Sequence, residues 1–527
     1  MGWFGNRKRA LILVWAAAAL LGLAAAAAAQ APQRGGTFTL PISDDPPMWP
    51  IQGGIYNILV NKLIYDTLVR YHPETLEPVG GLAERWEVSE DGLAYTFHLR
   101  QGVKWHDGEP FDAEDVAFTF QVWMNPEVPY YLRANVSSVD RVEVLDPYTV
   151  RVHMKNPVAS FPVLLGYNMS ILPKHRLEHL SAAQLANPVE FLRNPIGTGP
   201  FKFGQKVPGS MVRLVANEEY WDGAPYLDAF VFRVVPDVDT QVAQVQAGDL
   251  DMAIIEPYHL DAVRNVPGLR IEEAPQVNHF YIMLNHANPI FADRAVRQAL
   301  SYALDRQSII DGLMLGMAQP ATGPISPLIS WAYTADVVQY HYDPEKAERL
   351  LDEAGWLRGP DGIRQKDGRR LSFTIDVDPH PIRQGIALVA QENWRRIGAE
   401  VNIALYEYNV ILQNARSQPP KYDANPNWLV TPPDPDISTY YAGGSPGNTY
   451  AYANPEVDRL LELGRATVNQ EERARIYHEI QRILAEDAAV LYLYYPSEIR
   501  LVNDRVQGLA PVGYRDGLAW AHKIWKQ

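Results

Sequence analysis

The order of predicted elements along the chain sets its class of fold. Between Val212 and Ala253 the sequence predicts strands, then a helix, then a further strand. A later passage has the same order, with strand Leu371–Val377, helix Gly385–Ile397 and strand Glu400–Leu405. A helix between two strands favours a sheet covered by helices that connect its strands. We therefore predict an α/β protein.

Length and charge narrow the possible functions. At 527 residues the chain is too long for a single hydrophobic core and should form about two to four domains. The 62 acidic and 47 basic residues give a net charge of -15, and no basic block lies in the body of the chain. We expect no nucleic-acid partner, because binding to phosphates needs clustered positive charge.

The first 31 residues are typical of an export signal. Arg7, Lys8 and Arg9 precede an apolar run over Ala10–Ala29 that ends in small residues suited to cleavage. Loss of these three cations would change the net charge from -15 to -18. The alternative is an uncleaved membrane anchor, because about 20 apolar residues can span a bilayer.

The absence of cysteine excludes several kinds of site and anchor. Disulfides, thiolate metal sites and a lipid on an N-terminal Cys all require this residue. An exported chain without that lipid is expected to be soluble, and the periplasm is its predicted compartment. The 13 histidines show no close spacing typical of a metal site, so we predict no metal and no other cofactor.

Local signals predict several turns and helix starts. Asp91-Gly92 lies between two alternating runs and predicts a β-hairpin. Asp112 and Asp343 are predicted helix N-caps. The glycine-rich run Ile196–Phe201 lacks the Lys-Ser/Thr pair of a phosphate-binding loop, and a turn is the better prediction.

The stretch Asn427–Tyr441 is the main candidate for a ligand-binding loop. Its three prolines exclude a helix and hold the backbone in extended or turn conformations. A stiff loop suits binding, because little conformational entropy is lost when a ligand orders it. The alternative is a surface loop whose Trp packs in the core. The candidate contacts are Trp428, Asp434, Asp436, Tyr440 and Tyr441.

A second candidate pocket edge follows the first predicted strand. Trp49 and Tyr56 flank a short loop there that is rich in proline and glycine. The alternative is that Trp49 packs in the core, as large aromatic side chains commonly do.

Several segments match one protein family in the same order along nearly the whole mature chain. They are residues 82–100, 102–108, 111–120, 197–201, 246–251, 296–306 and 342–347. Together they resemble the family 5 extracellular solute-binding proteins, the peptide, dipeptide and nickel class that supplies ABC importers.

The resemblance implies a two-lobe periplasmic-binding-protein fold of type II, the large class with an extra subdomain in lobe I. Crossover strands near Val277–Asn285 and Val490–Pro496 would form the hinge, and ligand would be enclosed as the lobes close. The implied boundaries are signal peptide 1–31, lobe I 32–280 with an insertion at about 71–195, lobe II 281–495, and a return to lobe I at 496–527.

The resemblance also implies how a peptide amine would be bound. The family's peptide binders place an Asp three residues after the loop Trp, where this chain has Thr431. A hydroxyl carries no charge, and a charge-assisted hydrogen bond is about twice as strong as a neutral one. Either Asp434 or Asp436 reaches the amine, or the ligand lacks one, as an oligosaccharide, an opine-like conjugate or a blocked peptide would.

For the ligand carboxylate, dipeptide binders of the family use an Arg after the strand matching Leu371–Val377. Arg383 and His380 are the candidates here, although neither aligns without a gap. The alternative is an exposed Arg at a helix start. Asn278, on the first crossover, completes the predicted ligand contacts.

The predicted function is that of a monomeric periplasmic binding protein that delivers peptides or peptide-like solutes to an ABC permease without catalysis. The first alternative is a sugar or other non-peptide ligand on the same scaffold. An exported hydrolase using Asp434 and Asp436 is the alternative from another class, but their spacing gives no sign of the separation needed for glycoside hydrolysis. A sensor or chaperone-like role also stays open, because fold does not fix function.

Overall fold

The computed structural model describes residues 31–527, except the side chain of Tyr514. The predicted export signal lies outside the described residues up to position 30. Over residues 31–527, no helix combines the length and the apolar composition needed to cross a bilayer.

The strands, in chain order, are β1 Thr37–Ile42, β2 Val69–Tyr71, β3 Pro78–Gly80, β4 Ala83–Val88, β5 Ala94–Leu99, β6 Val139–Asp146, β7 Thr149–Met154, β8 Phe201–Val207, β9 Met211–Ala216, β10 Ala229–Val234, β11 Met252–Ile255, β12 Leu269–Pro275, β13 His279–Leu284, β14 Ala318–Pro320, β15 Leu357–Arg358, β16 Arg364–Lys366, β17 Arg369–Arg370, β18 Ser372–Val377, β19 Glu400–Leu405, β20 Ala424–Leu429, β21 Leu491–Asn503, β22 Val506–Gln507 and β23 Trp525–Lys526.

The helices are α1 Ile55–Ile64, α2 Ala113–Met124, α3 Phe161–Gly166, α4 Lys174–Leu177, α5 Ala182–Ala186, α6 Val189–Leu192, α7 Val238–Ala247, α8 Leu260–Val263, α9 Pro289–Ala292, α10 Arg294–Tyr302, α11 Arg306–Gly312, α12 Pro344–Glu353, α13 Pro381–Arg396, α14 Tyr408–Arg416, α15 Ser438–Tyr441, α16 Pro455–Ala466, α17 Gln470–Glu486 and α18 Tyr514–Gly517. Short 3-10 turns cover Arg133–Val136, Pro257–His259 and Leu518–Lys523.

Lobe I is built on a four-stranded sheet of order β1-β10-β9-β8, in which β1 runs parallel to β10 and the other pairs are antiparallel. Alternate side chains of β1, Phe38, Leu40 and Ile42, point into its core and are at most 1% exposed. The C-terminal segment returns to this sheet, because Lys526 Nζ donates to the Thr37 carbonyl at 2.8 Å.

A separate antiparallel sheet of order β4-β5-β7-β6 lies within the predicted insertion. The hairpin at Asp91-Gly92 is confirmed, because β4 and β5 pair antiparallel on either side of it. Both predicted N-caps are also confirmed. Asp112 accepts a hydrogen bond from the Glu114 amide, and Asp343 accepts one from the Lys346 amide.

The run predicted as a turn, Ile196–Phe201, bends over residues 198–200 before β8, and its glycines have a packing role. The Gly199 amide donates to the Ile64 carbonyl at 2.9 Å. A Cβ atom on Gly197 would lie 1.9 Å from the same oxygen, closer than any side chain permits. Glycine is therefore required for this turn to lie against the end of α1.

An eight-stranded sheet of order β11-β21-β13-β20-β18-β19, with β12 and β14 also on β21, joins the two lobes. The first part of β21 pairs with β13 and β14, and the second part pairs with β11 and β12. The chain therefore crosses between the lobes at 276–278, and again within β21 at about 495–498.

Two predicted boundaries are wrong. The crossover strand expected near Val490–Pro496 continues to Asn503, since proline is tolerated beside a short edge partner and Pro496 faces the three-residue β14. Helix α13 begins at Pro381 and not at Gly385, because proline suits the first helical position, where no amide partner is needed.

Candidate ligand-binding cleft

Trp428, the first predicted contact, belongs to a row of stacked aromatic rings. It is half-buried near the end of β20 and faces Phe280 of β13, with ring centres 6.1 Å apart. Tyr408, at the start of α14, also stacks on it at 5.4 Å, and Phe280 stacks on Tyr494 at 4.8 Å. Facing aromatic pairs stabilise neighbouring strands, so this row fixes the Trp428 ring.

Arg383 lies against this row with its charge already paired. The centre of its guanidinium is 4.7 Å from the centre of the Trp428 ring. Two of its nitrogens donate to the two carboxylate oxygens of Asp378. Burial would raise the pKa of Asp378, but the hydrogen bonds and charge of Arg383 outweigh burial and lower it. Arg383 is 9% exposed, and its charge is already balanced by Asp378.

His380 lies where the two lobes meet. Its Nε2 atom is 3.8 Å from a carboxylate oxygen of Glu256, which follows β11. His380 also precedes α13 as its N-cap residue. Its side chain therefore contributes to a contact between the lobes.

Asp434 is fully engaged inside the protein. Its two oxygens accept hydrogen bonds at 2.7 Å from Arg473 Nη1 and Nη2, and both side chains are 5% exposed. Burial disfavours the charged guanidinium, but Asp434 outweighs this and raises the pKa of Arg473. Asp434 is thus held by α17 and does not offer its carboxylate to a ligand amine.

Asp436 is also occupied, by the turn that follows it. Its Oδ1 atom accepts hydrogen bonds from the Ser438 amide at 3.0 Å and from the Ser438 hydroxyl at 2.6 Å. Its Oδ2 atom lies 3.4 Å from Arg465 Nε. Burial is the main cause that raises the pKa of Asp436, and the negative charge of Asp434 adds to it. The expectation that either acid replaces the missing amine partner is therefore not supported by their contacts.

Residues on either side of Thr431 in the chain line two cavities, and both lobes contribute to each cavity. Thr431 itself is buried, with only 4% of its surface exposed. On one side, a cavity of about 240 Å³ is lined by Val430 and by Ile254 of lobe I, among others. On the other side, a cavity of about 510 Å³ is lined by Pro433 and by Leu76, which also lines the smaller cavity. The loop thus contributes residues to both cavities.

The other predicted contacts divide between cleft and core. Asn278 lines the smaller cavity, and its amide donates to Gln276 Oε1. Tyr440 is half-buried in an apolar group that spans both lobes. Tyr56 is half-buried and packs against the lobe I core.

Two predicted contacts are wrong because their side chains belong to the core. Trp49 is 0% exposed, and its indole donates to the Leu185 carbonyl at 3.0 Å. Tyr441 is also 0% exposed, with its hydroxyl 3.1 Å from that of Tyr492. A ligand in the cleft reaches neither ring.

Sequence reasoning missed the charged groups of the smaller cavity. Arg515, Asp516 and Glu498 line it, yet all three come from the C-terminal part of the chain. Arg515 lies over the Tyr167 ring, 5.1 Å from its centre, and donates to its hydroxyl at 3.3 Å. The sequence predicted that this segment returns to lobe I, but it did not indicate which of its side chains would line a cavity.

Lys62 of α1 lies 4.0 Å from Asp516. The pH dependence of the protein's stability therefore tests this region. Burial lowers the pKa of Lys62 to about 8, although Asp516 opposes the shift. In the unfolded chain the pKa of a Lys side chain is about 10.4. Between pH 8 and that value the Lys62 amine is protonated in the unfolded chain and neutral in the folded one, so the free energy of unfolding rises with pH. We expect urea titrations at pH 7.5 and 10 to show a rise in wild type that exceeds that of Lys62→Met by roughly 2 kcal/mol. Equal changes in both proteins would contradict the assignment.

The chain matches a known family over most of its length. The model for bacterial extracellular solute-binding proteins, family 5 middle region, covers residues 77–450. The oligopeptide-binding protein AppA of Bacillus subtilis strain 168 is 32% identical over 458 residues, 85% of this chain and 84% of that protein. Heme-binding protein A of Haemophilus influenzae is 32% identical over 492 residues, 88% of this chain and 87% of that protein.

Solved structures agree with this assignment. AppA from B. subtilis in complex with a nonapeptide has a TM-score of 0.77 and 31% identity, over 94% of this chain and 100% of that chain. NikZ from Campylobacter jejuni in complex with Ni(L-His) has a TM-score of 0.80 and 29% identity, over 93% of this chain and 99% of that chain. The predicted two-lobe α/β fold is confirmed, and the protein belongs to family 5 of the bacterial extracellular solute-binding proteins.

Proposed function

We propose that the protein captures a peptide or peptide-like solute between its lobes and delivers it to an ABC permease. The observation that carries this proposal is the pair of cavities lined by residues that flank Thr431, whose walls come from both lobes. The larger cavity, of about 510 Å³, has a size typical of small-molecule sites, and the smaller adds about 240 Å³. The AppA relative, similar over most of the chain, is named as an oligopeptide binder.

The proposed mechanism is closure about the two crossings, at 276–278 and within β21. Contacts between the lobes hold the shut form. The Ala159 amide of lobe I donates to the Arg465 carbonyl of lobe II at 2.8 Å, and Glu256 faces His380. A ligand that touches both walls adds contacts only in the shut form, and so shifts the population toward it.

The charged ends of the ligand are assigned to the smaller cavity. Asp434, Asp436 and Arg383 are held by partners within the protein. Arg515 and Asp516 form a longer ion pair of 3.8 Å, and both line this cavity from the C-terminal segment. Arg515 offers a guanidinium to a carboxylate, and Asp516 offers a carboxylate to an amine. β21, which is 13 residues long, precedes this segment in the chain. The second crossing between the lobes and the charged groups of the cavity therefore both belong to the C-terminal part of the chain.

The remaining parts of the proposal concern location and partners. In this proposal the predicted N-terminal signal directs the mature chain to the periplasm, where the closed form docks as a monomer on the permease of the inner membrane. The protein performs no chemistry on its ligand.

Native mass spectrometry of the purified mature protein tests the ligand class. We expect bound masses that dissociate as short peptides. A single non-peptide mass, or an empty protein stabilised by sugars and not by peptide mixtures, would overturn the peptide assignment in favour of another solute on this scaffold.

Trp428→Ala tests the aromatic wall beside the smaller cavity, since Trp428 lies two residues before Val430, which lines it. The change removes the ring that Phe280, Tyr408 and Arg383 all contact. We expect peptide affinity to fall roughly tenfold or more, as loss of about 1.4 kcal/mol of packing implies. Titration calorimetry on a peptide recovered from the protein provides the measurement.

A matched control for this variant is Tyr342→Ala, which removes an aromatic side chain that is 40% exposed before α12. That variant should bind peptide as wild type does. If Trp428→Ala binds equally well, Trp428 has only a structural role.

A further inference from the structure

The side chains that line the larger cavity indicate which part of a ligand it would bind. Half-buried Trp86 and Val88 of β4 form one wall, and half-buried Leu328 and Trp331 of lobe II form the other. Aromatic and aliphatic side chains that line a cavity favour an apolar group, because filling it removes apolar surface from water.

The charged groups of this cavity also exclude an anionic occupant. At its back, Asp434 and Arg473 neutralise each other through two hydrogen bonds of 2.7 Å. At its rim, Glu74 and Glu77 are exposed carboxylates. An anionic ligand group would meet repulsion at the rim and would find no free cation inside.

The cavity is shaped by closure of the lobes. Gly92, at the turn between β4 and β5, approaches lobe II so closely that a Cβ atom there would lie 3.3 Å from Val468 Cγ2. Val468 itself lines the cavity, and the Ala159 to Arg465 hydrogen bond lies in the same region. A group held here therefore touches both lobes at the end of the insertion.

We propose that this cavity is a second ligand subsite, which receives an uncharged apolar group, an aromatic or branched aliphatic side chain, of a solute that passes Thr431. The inference rests on the proposed function, because the solute is taken to be a peptide. In the proposal its charged end lies in the smaller cavity, and Leu76 lines both cavities.

A set of tetrapeptides tests the subsite by titration calorimetry on the full mature chain. The probes are tetra-alanine, Phe-Ala-Ala-Ala, Ala-Ala-Ala-Phe, and the two corresponding peptides with Glu in place of Phe. We expect one Phe peptide to bind roughly tenfold to hundredfold more tightly than tetra-alanine, the gain for burying one ring. The matching Glu peptide should bind no better than tetra-alanine.

Two variants connect the gain to this cavity. Val88→Trp fills the cavity from a strand position that accepts a large aromatic residue, and should abolish the difference in affinity between the Phe peptide and tetra-alanine. Leu328→Ala should reduce the advantage several-fold, whereas Leu388→Ala, on an α13 residue that is 58% exposed, should not.

The outcomes separate the two proposals. If tetra-alanine binds but neither Phe peptide gains affinity, or if Val88→Trp retains the gain, the subsite is overturned and the peptide function stands. If none of the five peptides binds, the proposed function fails, and the subsite assignment fails with it.

Discussion

Replacing Arg473 by Met should lower the free energy of unfolding by about 3–5 kcal/mol, the cost of leaving one partner of a buried ion pair uncompensated. The change removes both hydrogen bonds to Asp434 and the one from Arg473 Nε to the Gly464 carbonyl. Asp434 is 5% exposed, so water compensates little for the lost partner of its carboxylate. Urea denaturation of the ligand-free protein, followed by circular dichroism, provides the measurement.

The neighbouring helix provides a matched control. Arg459 pairs with Glu456 at 2.7 Å, but these side chains are 58% and 52% exposed. Arg459→Met should therefore leave the midpoint unchanged, because water replaces the lost partner. Adding Asp434→Leu to Arg473→Met should restore much of the lost stability, since no buried charge then remains. An equal loss in Arg473→Met and Arg459→Met would contradict the importance given to burial.

Replacing Thr431 by Asp should raise affinity for peptides with a free α-amino group roughly tenfold to hundredfold, the worth of a hydrogen bond between charged groups. Thr431 is 4% exposed and lies in the chain between Val430 and Pro433, which line the smaller and the larger cavity respectively. Calorimetry with one peptide in free and N-acetylated form isolates the charge, because only the free form should gain. Thr431→Asn has nearly the same shape without the charge, and should show no gain.

The same substitution should destabilise the ligand-free protein. A buried carboxyl group without a partner has a raised pKa, so stability falls as pH rises above the unfolded value of about 3.9. Thermal unfolding at pH 3.5 and pH 7, compared with Thr431→Asn, measures this loss. Unchanged affinity for free peptides would mean that Thr431 has no part in ligand selection.

The fold was largely predictable because its signals are local or repeated. Asp91-Gly92 fixes a hairpin by backbone conformation alone, and Asp112 and Asp343 cap helices through adjacent amides. The alternation of strands and helices then determines the α/β class. None of these features depends on contacts between distant parts of the chain.

The cleft was predictable only in part, because charge pairing and burial are long-range properties. Asp434 is engaged by Arg473, 39 residues away, and the sequence pattern of the loop gives no sign of that partner. Trp49 is buried by Leu185 and Phe191 of the insertion. Arg515 and Asp516 reach the cavity only because β21 returns the chain to lobe I.

That shared strand also determines how the protein can be divided. A fragment ending near residue 280 would contain β11 and β12 without β21, the strand to which both are hydrogen-bonded. The complementary fragment would carry the second part of β21 with its edges unpaired, a template for aggregation. Each lobe has its own hydrophobic core, yet neither should be producible alone. The two lobes can thus move relative to each other when ligand binds, but they must fold together.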